Sequence, residues 1–172
     1  MADKNVRHYV LTALMIALVT VITLSLRIPV GSGYFNVSEA AIYLIAFLFG
    51  PLTGFLAAGV GTALADLSGS WANFAPLTFA AHGLQGLLAG YFALPGTTAA
   101  RLRGVVAGTI AMVGIYFLGE YFGAGLGWGG PAQAVVEWVP NLLQNVGGAI
   151  VAIPLAEILR RAYPPLARYT GR

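Results

Sequence analysis

The residues that best suit small-molecule recognition in this sequence are Glu137, Asn141 and Asn145. They lie four positions apart, so on a helix their side chains share one face. They occur in a mostly apolar segment, 133–160, which is long enough to cross a bilayer. Carboxylate and amide groups are costly in hydrocarbon, so we expect this face to point into the protein. It indicates either a ligand pocket or hydrogen bonding between helices.

Further polar side chains fall near the same predicted end of other apolar segments. Glu39 begins one such segment, Glu120 lies near the end of another, and His82 and Gln85 occur together in a third. Because an ionisable group inside a membrane is a candidate functional group, we predict that these four residues contribute to the same ligand site. For His82, an ordinary contact within the bundle is the alternative. A metal site is not predicted, since no second histidine lies nearby.

Aromatic residues gather at this end as well. All three tryptophans, Trp71, Trp128 and Trp138, lie there, and so does Tyr121. An aromatic belt at the membrane interface is one interpretation, but such a belt places tryptophan at both interfaces. We therefore expect Trp71, Tyr121 and Trp138 to line the site, where their rings can stack on a flat heteroaromatic ligand.

Composition identifies the kind of protein that must hold these residues. Of 172 residues, 58% are hydrophobic and only 9% are charged, and the mean hydropathy is +0.80. Soluble domains carry about a quarter charged residues, so a soluble enzyme and a disordered chain are both excluded. The alternation typical of membrane β-barrels is absent. The sequence predicts an all-α integral membrane bundle, surrounded by lipid, that forms one domain over 1–172.

The apolar segments predict six transmembrane helices, at approximately 9–26, 39–50, 51–66, 76–94, 104–124 and 133–160. The second and third helices come from one uncharged run that is too long for an upright span. Gly50 and Pro51 interrupt this run, which favours a hairpin at that point. A single tilted helix over 39–66, giving five spans, is the alternative.

The basic residues favour six spans and also orient them. With the N-terminus in the cytoplasm, eight of the nine Lys and Arg residues lie on the cytoplasmic side and only Arg27 lies outside. The five-span alternative places seven of them inside. Both termini are thus predicted to be cytoplasmic, and the polar cluster is predicted to face outward. Cytoplasmic loops explain the net charge of +3, so no nucleic acid partner is predicted.

No motif for catalysis or nucleotide binding is present in the sequence. The P-loop pattern is absent, so uptake driven by ATP would require a separate ATPase chain. There is no pairing of a nucleophile with a base and no cysteine, so neither an enzyme nor a cofactor is predicted. The intramembrane acids leave a second hypothesis open, a stand-alone proton-coupled carrier of small molecules.

Four segments resemble one family of membrane proteins. They are 34–43 (YFNVSEAAIY), 48–54 (LFGPLTG), 61–66 (GTALAD) and 140–145 (PNLLQN). They are similar to segments of the S components of energy-coupling-factor (ECF) transporters, and the resemblance runs across nearly the whole chain. S components are the substrate-binding membrane subunits of ABC importers for vitamins and related micronutrients.

The resemblance implies a six-helix fold that binds substrate near the extracellular face, in a pocket built from the last three helices and the first loop. It implies a transmembrane coupling subunit and two cytoplasmic ATPase subunits as partners. Ala13 and Ala17 match the family's Ala-x-x-x-Ala motif, which implies that they contact the coupling subunit. The implied location is the cytoplasmic membrane of a bacterium or archaeon. Among the family's ligands, the acidic and aromatic residues favour a thiamine-type or hydroxymethylpyrimidine ligand, with riboflavin next.

Overall fold

A computed structural model describes residues 2–30 and 33–170. Within them the chain forms five α-helices, α1 (Ala2–Ser25), α2 (Ser38–Leu67), α3 (Ala75–Ala93), α4 (Thr98–Phe122) and α5 (Pro131–Ala162). An antiparallel ribbon of β1 (Ile28–Val30) and β2 (Gly33–Phe35) joins α1 to α2, with Pro29 opposite Tyr34. Short 3-10 helices occur at Ala72–Phe74, Ala124–Leu126 and Pro164–Thr170. The predicted all-α class is confirmed, with five helices where the sequence predicts six.

Length and composition mark most of these helices as membrane spans. Within the described residues, four helical segments are long and apolar enough to cross a membrane: Val6–Ser25, Ser38–Leu67, Thr98–Phe122 and Pro131–Ala162. The remaining helix, α3, packs between α2 and α4 and buries His82 and Gln85. The chain is therefore a multi-pass helical membrane protein, as its composition predicts.

The difference in helix number arises in α2, which joins the predicted spans 39–50 and 51–66. Its helical conformation is broken at Gly50, where φ is 84° and ψ is −176°, a backbone region that glycine adopts at little cost. A Cβ added to Gly54 would lie 3.1 Å from the Cβ of Ala46. In a straight helix, residues eight positions apart are separated by about 12 Å along the axis. The two halves of α2 therefore lie side by side.

A side chain of α5 satisfies the backbone group that Pro51 leaves open. Pro51 has no N–H, so the carbonyl of Phe47, four residues earlier, lacks its usual helical donor. The guanidinium of Arg160 donates to this carbonyl, with Nη2 and the oxygen 2.7 Å apart. Because an unpaired buried carbonyl costs about 1–3 kcal/mol, this contact links the bend in α2 to the end of α5.

Replacing Arg160 with leucine is expected to lower the free energy of unfolding by about 1–2 kcal/mol, since the Phe47 carbonyl loses its donor. The matched control is Arg161→Leu. Arg161 is exposed and pairs with Glu157 at 3.0 Å, a surface contact worth about 0.5 kcal/mol. Thermal unfolding in detergent measures both variants. Equal melting temperatures for the two would show that the Phe47 contact does not stabilise the bend.

The fourth helix begins earlier than the apolar run at 104–124 predicts. Thr97 caps it, because the Thr97 hydroxyl accepts a hydrogen bond from the backbone N–H of Ala100 at 3.1 Å. The added first turn carries Arg101, which is buried and pairs with Glu157 of α5 at 2.7 Å. A cap and an interhelical ion pair thus extend α4 beyond its hydrophobic part.

Small residues bring the central helices close together. The α2 helix packs against α1, α3 and α5, and α4 contacts α3 and α5. A Cβ on Gly90 of α3 would lie 2.7 Å from the Cα of Pro51. A Cβ on Gly104 of α4 would lie 2.6 Å from the carbonyl oxygen of Ala89. Such contacts allow membrane helices to pack through their backbones, which fixes the positions of the polar side chains described next.

Candidate functional site

Side chains from several elements enclose a pocket at one end of the bundle. It contains about 410 Å³ of empty space, counted together with its mouth. Its wall combines carboxylates, amides, hydroxyls and aromatic rings. The lining residues are Thr23, Tyr34, Asn36, Thr62, Asp66, Trp71, Phe74, Thr78, His82, Tyr116, Glu137, Asn141 and Gln144. This mixture suits a small planar ligand with several hydrogen-bonding groups.

An aromatic and cationic cover lies over part of this pocket. The rings of Tyr34 and Trp71 have their centroids 4.6 Å apart. The guanidinium of Arg27 lies 4.5 Å from the Tyr34 centroid and 5.1 Å from that of Trp71. It also donates to the carbonyl of Ala65 at 2.7 Å. The ribbon and the loop after α2 are held together by these cation–π contacts.

Tyr34 connects this cover to a carboxylate in the pocket. Its hydroxyl donates to Asp66 Oδ1 at 2.5 Å. Burial, together with the negative charge of Asp66, raises the pKa of Tyr34 well above its usual value. The phenol therefore stays protonated at neutral pH, and it holds the Asp66 carboxylate toward the ligand space.

A second set of polar residues lies directly behind the pocket wall. Gln85 donates through Nε2 to the carboxylate of Glu39 and, at 2.8 Å, to Asn145 Oδ1. The same Asn145 oxygen accepts from the Tyr43 hydroxyl at 2.5 Å. His82 joins the set through Nδ1, which is 2.9 Å from Gln85 Oε1. Glu39, Gln85 and Asn145 are almost completely buried, so they support the wall and only His82 reaches the pocket.

The α5 side of the pocket is organised by neighbouring amides. Gln144 accepts from the backbone N–H of Asn36 at 2.8 Å and donates to Asn141 Oδ1 at 3.3 Å. Gln133 donates to Glu137. Glu120 of α4 is completely buried, and its carboxyl group interacts with that of Glu137. This side therefore offers amide donors and acceptors next to a pair of acids.

The structure brings most of the predicted site residues together. Trp71, His82, Glu137 and Asn141 line the pocket. Four more are buried behind or beside its wall, namely Glu39, Gln85, Asn145 and Glu120.

Two predicted residues lie elsewhere. Tyr121 is 42% exposed and packs its ring on Phe117 and Phe122, and Trp138 is 52% exposed. They lie on the outer surface of the bundle, apart from the pocket, so we leave both out of the proposed site. Within the described residues, no group of three or more His, Cys, Asp or Glu side chains could hold a metal ion.

Several pocket residues were not predicted from the sequence, and for three of them the spacing along a helix was a usable signal. Thr78 precedes His82 by one helical turn, Tyr116 precedes Glu120 in the same way, and Gln144 follows Asn141 by three positions. Each therefore shares a helix face with a predicted residue. The remaining lining residues come from α1, α2 and the connecting segments: Thr23, Tyr34, Asn36, Thr62, Asp66 and Phe74. Of these, Asp66 carries the signal of an acid at the end of an apolar run, and Tyr34 and Phe74 belong to the aromatic residues gathered at this end.

The position of Glu39 depends on a close approach between α2 and α5 at Gly148. A Cβ at Gly148 would lie 2.7 Å from the backbone carbon of Glu39 and 2.8 Å from the backbone nitrogen of Ala40. We expect Gly148→Ala to destabilise the protein by about 1–3 kcal/mol through overpacking and to weaken ligand binding by displacing Glu39. Gly147→Ala is the control, because open space surrounds that position. Unfolding temperatures that match for the two variants would contradict the close approach.

A family model and two relatives match this chain in sequence. A model of the family described as ECF-type riboflavin transporter, S component, matches residues 3–161. An uncharacterized protein in the gap 3′ region of Pyrococcus woesei is 40% identical over 153 residues, which cover 86% of this chain and 98% of that one. The thiamine precursor transporter HmpT of Lactococcus lactis subsp. cremoris is 28% identical over 164 residues, covering 94% and 92%.

Two solved structures share the fold. One, described as the S component of a bacterial ECF transporter, has a TM-score of 0.68 at 21% identity and covers 98% of this chain and 99% of its own. The other, the S-component for biotin from an ECF-type ABC transporter, has a TM-score of 0.59 at 19% identity and covers 95% and 94%. At these identities the likeness establishes the common fold, and the choice of ligand must be argued from the pocket itself.

Proposed function

Because this chain belongs to the family of ECF-type riboflavin transporter S components, we propose that it captures a small heteroaromatic vitamin or vitamin precursor from outside the cell for an ECF-type importer. The observation that carries this proposal is the pocket lined by Asp66, Glu137, Asn141 and several aromatic rings. Such costly polar groups in a membrane protein mark a ligand site.

A hydroxymethylpyrimidine-like precursor of thiamine is the favoured ligand. The pocket is small and is lined by polar and aromatic side chains, which suits a single heteroaromatic ring. Asp66 and Glu137 are acceptors for the amino group of an aminopyrimidine, and Trp71 offers a stacking face. The Lactococcus relative is a thiamine precursor transporter. Riboflavin is the second candidate, because the matching family model describes a riboflavin transporter.

The distribution of charge supports an outward-facing pocket. Arg101 and Glu157 form their ion pair at one end of α4 and α5, while Glu120 and Glu137 meet at the other. Since basic residues collect on the cytoplasmic side, we place the arginine-rich end and both termini in the cytoplasm. With the two halves of α2 counted separately, the chain crosses the cytoplasmic membrane of a bacterium or archaeon six times.

The exposed side of α1 is the proposed docking face for the coupling subunit, which works with two ATPase subunits. Ala13 and Ala17 are exposed on this helix. Within the described residues, α1 packs extensively only against α2. Small exposed residues on a membrane helix allow another helix to approach closely, and this fits the role that the family's alanine motif implies.

Ligand titration of the purified protein tests the proposed function. Trp71 lines the pocket, so bound ligand should quench tryptophan fluorescence. We expect saturable binding of 4-amino-5-hydroxymethyl-2-methylpyrimidine, with thiamine and riboflavin binding more weakly. The proposal would be contradicted if no member of a vitamin panel bound to the protein. Uptake by vesicles that contain this chain alone, driven by a pH gradient, would instead support the proton-coupled carrier.

A further inference from the structure

The amide groups behind the pocket have orientations that their partners determine. Asn145 Nδ2 lies 2.9 Å from the backbone carbonyl of Asn141, and a carbonyl can only accept. The opposite atom of this amide must then be Oδ1. It accepts from Gln85 at 2.8 Å and from the Tyr43 hydroxyl at 2.5 Å.

The orientation of Asn145 fixes that of Gln85. The Gln85 atom facing Asn145 Oδ1 must be a donor, Nε2, and the same Nε2 also donates to the carboxylate of Glu39. Gln85 Oε1 therefore points the other way, toward His82 Nδ1 at 2.9 Å. Because an amide oxygen only accepts, His82 Nδ1 must carry the proton. A carboxylate oxygen of Glu39, 3.4 Å from the same nitrogen, favours this arrangement too.

We propose that this relay from Asn145 through Gln85 keeps His82 in the Nδ1–H tautomer and so presents a bare Nε2 as a hydrogen-bond acceptor in the pocket. A neutral imidazole has only one N–H, so the nitrogen opposite Nδ1 is an acceptor. His82 lines the pocket, and no hydrogen bond among the described residues uses its Nε2.

This assignment makes His82 a specificity-determining residue. An acceptor in a pocket favours a ligand that places an N–H or O–H donor there and disfavours an analogue without that donor. This part of the inference rests on the proposed function. In a hydroxymethylpyrimidine, the exocyclic amino group supplies such a donor. Gln85 and Asn145 do not contact the ligand and act on it only through His82, as positioning residues.

Nitrogen NMR of the ligand-free protein tests the tautomer without any assumption about the ligand. The chain has two histidines, so a His8→Ala variant labelled with ¹⁵N-histidine reports on His82 alone. The expected spectrum at neutral pH shows a protonated Nδ1 and an unprotonated Nε2. A spectrum of the Nε2–H tautomer, or of the doubly protonated ring, would overturn the inference even if the protein binds a vitamin.

A pair of ligands tests the selectivity. The probes are 4-amino-5-hydroxymethyl-2-methylpyrimidine and the analogue with hydrogen in place of the amino group. His82→Asn keeps a side-chain amide near Gln85 but removes the atom at the Nε2 position. We expect the unsubstituted protein to prefer the amino ligand, and His82→Asn to reduce this preference by about tenfold, the effect of one hydrogen bond. An unchanged preference in a variant with an unchanged melting temperature would overturn the assignment. Failure of both ligands to bind would count against the proposed function, and the NMR result would still decide the tautomer.

Discussion

Replacing Ala17 with tryptophan is expected to stop uptake while leaving ligand binding unchanged. Ala17 is exposed on α1. Thr23, the pocket residue on the same helix, lies six positions further on, about 9 Å along the axis and on a different face, so a larger side chain at Ala17 should not alter the site. If the coupling subunit packs against this position, an indole would hold the helices apart, because close approach depends on small residues. We expect uptake by cells that contain the complete transporter to fall by at least about tenfold, with the dissociation constant preserved.

Leu18→Trp is the matched control for this result. Leu18 is 43% exposed on the same helix, but it already carries a large side chain and points about 100° away from Ala17. Its substitution is expected to preserve both uptake and binding. Normal uptake in the Ala17 variant would show that the coupling subunit docks elsewhere. Equal losses in the two variants would indicate a general sensitivity of α1.

The helical period explains which of the predicted residues line the pocket. Glu137 and Asn141 were placed on one face by their spacing, and both line the pocket. Trp138 follows Glu137 directly, and successive residues on a helix point about 100° apart. An aromatic residue next to a buried acid therefore turns outward, as Trp138 does with 52% exposure. Trp138 was placed in the site because the tryptophans gather at one end of the helices, and that position does not determine which way a ring points around α5.

Depth within the bundle was harder to predict than helix face. Asn145 shares the face of Glu137 and Asn141, but it lies a further turn along α5 and is completely buried. Its partners are Gln85 and Tyr43, from two other helices. Such contacts depend on how α2, α3 and α5 are aligned along their axes, and the spacing within one helix does not contain that information. The hairpin at Gly50 was predictable because glycine followed by proline is a strong local signal.

The cover over the pocket was also difficult to predict from the sequence. The predicted spans leave segment 27–38 as a connection between two helices, and its described residues include a two-stranded ribbon. Only the folded arrangement stacks Arg27 on both Tyr34 and Trp71. The contact between Arg27 and Trp71 joins residues 44 positions apart in the chain, so its geometry depends on the paired halves of α2.

Replacing Glu137 or Asn141 with alanine is expected to weaken ligand binding strongly while the bundle stays folded. Both side chains are less than 10% exposed and line the pocket. A hydrogen bond to a charged group contributes about 1.5–3 kcal/mol, so the loss of Glu137 should raise the dissociation constant by about 10- to 100-fold. The neutral amide of Asn141 should contribute about tenfold or less. Fluorescence titration measures both, and thermal unfolding verifies that each variant is folded.

Trp138→Ala separates a pocket effect from a general effect on α5. Trp138 adjoins Glu137 in the sequence but lies on the outer surface of the bundle, so its removal should leave affinity unchanged. If affinity fell with Trp138→Ala and held with Glu137→Ala, the ligand would bind at the groove that Trp138 forms with Thr109 and Phe117. If affinity is lost only in the Glu137 and Asn141 variants, the ligand binds against the buried face of α5. Those two substitutions change the buried face, whereas Trp138→Ala changes the outer surface.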